Sequence, residues 1–169
     1  MPEAEEESDR VTRLLAGAEK VIGDVHFCWL ATGGAPGRPN LRPMGRLQPE
    51  GADDPWTIRF VTDGRSSKAA DIRRIRQVAL VFQNDADDAF VTVAGMATLH
   101  EGPSEVSRRW KPAYDQFFPT ETDRANAAFL EVEARRMELW IRGVTPEPFG
   151  LQATILERDG AGAWRLQSK

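Results

Sequence analysis

The residues of this chain best suited to hold an anion are Arg42, in Arg42-Pro43-Met44-Gly45, and Lys68, which closes the run Thr62-Asp63-Gly64-Arg65-Ser66-Ser67-Lys68. The first run falls on an expected strand, and the second where another strand passes into a helix. A helix start presents unpaired N–H groups and the positive end of its dipole. Two serine hydroxyls, and cations from both strand and helix, add charge-assisted donors, which is the chemistry of a phosphate clamp. Ser66 alone reads as an ordinary helix cap, Lys68 alone as a solvated lysine and Arg42 alone as a surface residue. The combination is what points to phosphate.

Other chemistries lack their residues. His26 and His100 are too few and too isolated for a metal cluster, so no metal is expected. There is no Gly-x-Ser-x-Gly nucleophile setting and no Gly-x-x-x-x-Gly-Lys-Ser/Thr loop. Gly33-Gly34-Ala35-Pro36-Gly37 precedes a strand rather than a helix and reads as a hairpin turn. The paired acids Asp53-Asp54 and Asp87-Asp88 fall in expected turns, where Asp is a common solvated residue. No catalytic residue is therefore assigned, and any reaction needs a cofactor to carry it. Cys28 is the only cysteine, which excludes an intrachain disulfide; in His26-Phe27-Cys28-Trp29-Leu30 it reads as a buried thiol.

The elements that must position these residues follow from hydrophobic period. Ser8 reads as the cap of a helix whose buried face is Val11, Leu14, Leu15, Ala18, Val21 and Ile22. Strands are expected at 27–32, 40–47, 56–62, 78–82, 90–99 and 129–141, with a last hairpin formed by 151–157 and 164–167. A helix over 68–75 turns Ala69, Ile72 and Ile75 inward, another runs near 104–110, and a short one follows Thr122. Gly95 invites a bulge or a close backbone approach. The inward phase of 129–141 changes at Arg135-Arg136, which is what a bulge does to a strand. Hairpin-linked strands outnumber helices, so the expectation is a mainly β (α+β) antiparallel barrel with a few covering helices.

The 169 residues suit one domain, expected over 10–169 after an acidic, flexible tail at 1–9. That tail holds five of the 26 acids, leaving 21 against 22 Lys and Arg, so the net charge of -4 hides a body near neutrality. A nucleic-acid groove demands a clustered basic excess, and none is present. With no membrane-length apolar run and no secretory signal, the expected address is cytoplasmic, with no membrane partner.

In its ordered series of motifs the chain resembles the flavin-binding split-barrel proteins related to pyridoxamine 5'-phosphate oxidase, and looks closest to their general stress protein subgroup. The likeness spans 21–142. It rests on the stretches 27–32, 37–45, 56–62, 66–72, 78–82 and 90–97, and on Trp110-Lys111-Pro112, Phe117-Phe118-Pro119 and Met137-Glu138-Leu139-Trp140. The resemblance implies FMN as cofactor, its phosphate gripped by Arg42 and Lys68 with help from Ser66 and Ser67. It implies Pro43, Met44 and Gly45 along the isoalloxazine edge, and Val61 and Thr62 along the ribityl chain and ring. It further implies a homodimer with FMN at the interface, where Trp110 or Trp140 meets the flavin from the partner. The oxidase proper ends in an Arg- and His-bearing substrate segment and offers a Gln to the flavin. This chain ends in Trp164-Arg165-Leu166-Gln167-Ser168-Lys169 and carries Phe90 at the position of the Gln. These departures argue against oxidation of a vitamin B6 phosphate. The expected function is that of a flavin-dependent oxidoreductase taking electrons from NAD(P)H or another small donor, with Arg46 and Tyr114 as polar groups near the ring. The alternatives are a flavin carrier without turnover, haem or deazaflavin binding on the same barrel, and a nucleic-acid-binding barrel.

Overall fold

The computed structural model describes residues 2–51 and 53–168. Met1, Ala52 and Lys169, which fall in the expected tail, a loop and the C-terminal end, lie outside the described residues. The order of elements is α1 (Pro2–Asp24), β1 (Phe27–Thr32), β2 (Asn40–Gly45), β3 (Thr57–Asp63), α2 (Ser67–Arg74), β4 (Gln77–Asn84) and β5 (Ala89–His100). There follow α3 (Pro103–Arg109), a 3-10 turn (Pro112–Gln116), α4 (Glu121–Ala125), β6 (Ala127–Ile141), β7 (Thr154–Arg158) and β8 (Trp164–Leu166).

All strand pairs are antiparallel, in the order β2-β1-β4-β5-β6-β7-β8, with β3 also on β6. The long strand β6 makes the split. One of its edges carries β5; the other carries β3 against residues 127–133 and β7 against residues 136–139. The barrel closes where Leu47, just past β2, donates its N–H to Arg59 O of β3 at 2.8 Å. The fold is therefore the mainly β, split-barrel-like α+β architecture read from the chain.

The two bulge signals are one feature. The β5–β6 register steps from Ala94 opposite Arg136 to Gly95 opposite Ala134, which leaves Arg135 as the extra residue on β6. A Cβ on Gly95 would stand 2.3 Å from Glu133 O, so the strands approach there as only glycine permits.

The main core fills the barrel with Cys28, Leu30, Phe60, Leu80, Phe82, Val93, Leu130 and Met137, and α1 covers it with Leu14, Ala18, Val21 and Ile22. Three expectations shift. The helix α1 starts at Pro2, not after Ser8: proline at the first helical position and Glu3 and Glu5 in the first turn favour an earlier start. Ser8 lies inside it, its carbonyl accepting from Thr12 Oγ1. Ile75 is not inward, because α2 ends at Arg74 and the extended Ile75 turns aside to cover Gly33. The short fourth helix starts before Thr122, capped by the Thr120 hydroxyl, which accepts from Asp123 N.

Candidate functional site

Strand alternation decides where Arg42 goes. In β2, Leu41 and Pro43 face outward while Arg42 and Met44 take the inward phase. At the barrel end Arg42 meets the last inward residue of β1: its Nη1 donates to Thr32 Oγ1 (2.7 Å) and to Leu30 O (3.3 Å). Its Nη2 lies 3.7 Å from Asp71 Oδ2, an ion-pair distance rather than a hydrogen bond. With Nη1 committed, Nε and Nη2 form the edge left for a ligand.

The turn between β3 and α2 brings Lys68 to the same place. Gly64 N donates to Asn126 O (2.7 Å), Ser66 N to Asp63 O (3.1 Å), and Arg65 N to Asp63 Oδ1 (2.8 Å), which folds the turn tightly. Arg65 also bridges Asp63 and Asp123, so it is not a spare cation. Ser66 caps α2, its Oγ accepting from Ala69 N at 3.4 Å. Ser67 and Lys68 open the helix, and their own N–H groups have no intrahelical acceptor. The half-buried Lys68 donates from Nζ to Thr62 Oγ1 (3.1 Å), and no carboxylate lies in ion-pair range of it among the described residues.

Electrostatics registers the convergence. Burial pushes the Lys68 ammonium below its ordinary value, and the Arg42 guanidinium pushes it further down, against an opposing pull from Asp63. Burial likewise lowers Arg42, while Asp71 opposes the shift. Two cations that repel each other at a helix start, neither fully neutralised, form a receptor for a small anion with more than one negative charge.

The other residues singled out from the sequence divide into two groups. Near the clamp, Thr62 is buried as the partner of Lys68, and Val61 sits half-buried against a second apolar cluster. Met44 sends its side chain into the core while its carbonyl accepts from the Cys28 thiol (3.7 Å). Pro43 is exposed on the outer face of β2. The space over Gly45 is already taken, since a Cβ there would meet the Phe27 ring at 3.2 Å; its lack of a side chain serves that packing. Trp110 belongs to the second cluster, with Val106, Tyr114, Phe118 and Phe129, and its Nε1 donates to Asp115 Oδ1 (2.9 Å). Beside it a cleft of about 290 Å³ is lined by Leu47, Arg59, Trp110, Tyr114, Phe129 and Glu131 among others. Burial raises the Tyr114 hydroxyl above its usual range.

Trp140 is elsewhere. It stands on the outer face, paired across strands with Phe90, near the end of β6 opposite Phe129. Eleven residue steps separate it from Phe129, or about 36 Å along the strand at about 3.3 Å per residue. A single chain does not bring Trp110 and Trp140 together. Arg46 is also withdrawn from the site: it is buried and ends α1, donating from Nε to Ile22 O (2.9 Å) and Val25 O (3.1 Å) and from Nη2 to Gly23 O. A cation on helix C-terminal carbonyls is a structural cap.

Sequence reading missed Asp71, Thr32 and Asn40. The buried Asp71 carboxylate accepts from Thr32 Oγ1 (2.7 Å) and Asn40 Nδ2 (2.9 Å). Those two bonds hold it well below the usual carboxylate range, with Arg74 and Arg42 adding to the effect. The only signal in the chain was a polar residue beside Ile72 on an otherwise apolar helix face.

A split barrel with paired cations at a helix start is the class of protein that this fold and site define. The chain belongs to the family described as Pyridoxamine 5'-phosphate oxidase like, which residues 15–152 match. Among solved structures it is similar to an FMN-binding, pyridoxamine 5'-phosphate oxidase-related protein from Nostoc punctiforme (16% identity, 100% of this chain and 97% of that one, TM-score 0.67). It is similar also to a protein related to general stress protein 26 from Clostridium acetobutylicum (16% identity, 85% and 93%, TM-score 0.66). A third likeness is to PhzG from Burkholderia lata, in complex with tetrahydrophenazine-1-carboxylic acid (16% identity, 93% and 88%, TM-score 0.62). No curated protein matches the chain. Among the described residues no helix is long and apolar enough to cross a membrane.

Proposed function

We propose that this protein binds FMN and uses it as a flavin-dependent oxidoreductase. The observation that carries this reading is the pair Arg42 and Lys68: two partly buried cations on one helix start, each with donors to spare for a dianionic phosphate. Arg42 would hold phosphate oxygens through Nε and Nη2, Lys68 through Nζ, and Ser67 through its N–H or hydroxyl. Thr62 and Val61 would line the ribityl chain, and the backbone at Pro43 and Met44 would follow the ring edge. Bound flavin supplies hydride and electron transfer, while the chain's own part is to bind, orient and shield it. The cleft beside Leu47, Trp110 and Tyr114 adjoins that position and is the entry for a small electron donor, with NAD(P)H as the first candidate.

A second copy of the chain is the partner this reading requires. Phe27, Trp29 and Leu41 are 67%, 46% and 55% exposed on the outer face of β1 and β2, where Pro43 and Val81 extend the apolar surface. A surface of that kind favours burial against its own copy. It is also the face on which Phe90 and Trp140 stand, so a partner could bring Trp140 to the flavin. Trp29→Glu is expected to shift the protein to monomer in sedimentation; a dimer unchanged by this substitution refutes the assigned face.

One observation favours a second reading, a flavin carrier without turnover. Arg46, the polar group expected near the ring, is spent on capping α1. Absorbance titration of the empty protein with FMN, followed by anaerobic NAD(P)H, separates the two. Bleaching within seconds supports the oxidoreductase, a bound flavin that stays oxidised supports the carrier, and failure to bind FMN refutes both.

A further inference from the structure

The carboxylate of Asp71 stands behind the clamp, where an acid is electrostatically unwelcome to a bound phosphate. Its oxygens are 3.7 Å from Arg42 Nη2 and 3.6 Å from Arg74 Nη2. It is also the hub of a partly buried polar network joining three elements: Thr32 from the end of β1, Asn40 from the start of β2, and α2 itself. Thr32 is the link that matters. Its hydroxyl hydrogen goes to Asp71, which leaves the oxygen lone pair aimed at Arg42 Nη1. The hydroxyl is thereby oriented by the acid, and it orients the guanidinium in turn. Lys68 lies one helical turn before Asp71 on the same helix, so the carboxylate also ties the lysine-bearing element to the arginine-bearing strand.

We infer that Asp71 is a positioning residue for phosphate selection: acting through Thr32, it fixes the orientation of the Arg42 guanidinium beside the start of α2, and so sets the preference for a phosphorylated flavin over the free one. The inference rests on the FMN reading above. Two physical effects of removing the charge have opposite signs, which makes it testable. If the carboxylate acts only as a nearby negative charge, Asp71→Asn raises the positive potential and tightens phosphate binding. If it acts by positioning, the same substitution lets Thr32 and Arg42 turn, and phosphate binding weakens despite the more positive site.

The experiment titrates FMN and riboflavin into wild type, Asp71→Asn and Thr32→Val, following flavin fluorescence, with the melting temperature of each empty protein recorded alongside. Asp71→Asn is expected to weaken FMN about tenfold, the scale of one charged hydrogen bond, and to leave riboflavin within about twofold. Thr32→Val keeps the acid and removes only the relay hydroxyl. It is expected to weaken FMN in the same direction and, combined with Asp71→Asn, to add less than its separate effect. If Asp71→Asn does not fold, Thr32→Val decides by the same FMN-to-riboflavin ratio. Tighter FMN binding, an unchanged ratio, or a parallel loss of both flavins overturns the inference while leaving the FMN reading in place. Wild-type protein that binds neither flavin overturns that reading, and this inference with it.

Discussion

Replacing Lys68 by Ala removes a cation that, among the described residues, has one hydrogen-bond partner, Thr62 Oγ1, and no carboxylate in ion-pair range to leave stranded. A unit charge facing a phosphate at about 4 Å gains about 4 kcal/mol at an effective dielectric near 20. Partial exposure and desolvation reduce that to about 2 kcal/mol, typical of a charged hydrogen bond, or about 30-fold in Kd. Arg42→Ala removes two remaining donors and should cost about 3 kcal/mol, over 100-fold. The double variant should lose about 1,000-fold for FMN, because both groups contact one ligand and their effects do not add fully. Riboflavin, which lacks the phosphate, should bind each variant within about twofold of wild type. Losing Lys68 also relieves its repulsion with Arg42, so the melting temperature of the empty Lys68→Ala protein should hold or rise. Isothermal titration with both flavins reads the first set of numbers, and thermal denaturation the last. Unchanged FMN affinity in the double variant refutes the phosphate clamp; equal losses for FMN and riboflavin show that the substitutions damaged the fold instead.

FMN affinity should fall on the alkaline side at a pH below the ordinary lysine value of 10.5, as the depressed Lys68 ammonium loses its proton, and on the acid side near pH 6, as the phosphate gains one. Over the alkaline window the unfolded chain binds more protons at Lys68 than the folded one. Stability of the empty protein from this group therefore rises with pH while affinity falls, and Lys68→Ala should abolish both trends in titrations run from pH 5 to 10.5. The Cys28 thiol, pushed by burial to about 12, should resist maleimide at neutral pH and react only as denaturant opens the barrel; fast labelling of native protein contradicts its place in the core. Gly95→Ala should destabilise by about 3 kcal/mol in urea, since its Cβ meets Glu133 O of the facing strand; an unmoved midpoint counts against the close approach at the bulge.

Much of the architecture was legible because strand and helix periods are local. The inward phase of 27–32, the α1 face from Val11 to Ile22 and the hairpin at Gly33–Gly37 needed only neighbours in sequence. The bulge was legible twice, as a glycine on one strand and a phase change on another, although nothing in the chain tied the two signals to a single step in register. Where reading failed, the competing effect was also local but weaker in sequence: Pro2 and the first-turn acids started α1 earlier than Ser8, and an extended Ile75 ended α2 one residue short.

Residue types and spacing alone determined that a strand arginine and a helix-start lysine exist and that they come with two serines. The tertiary structure decided that the arginine spends one edge on Thr32 and Leu30 and keeps the other, that Arg46 is consumed by the end of α1, and that Trp110 and Trp140 lie at opposite ends of β6. It also supplied Asp71, whose role depends on partners 31 and 39 positions away in the chain. Contacts of that range arise only when strands pair and a helix docks across them, and the chemistry of a buried carboxylate is set by what surrounds it rather than by its place in the chain.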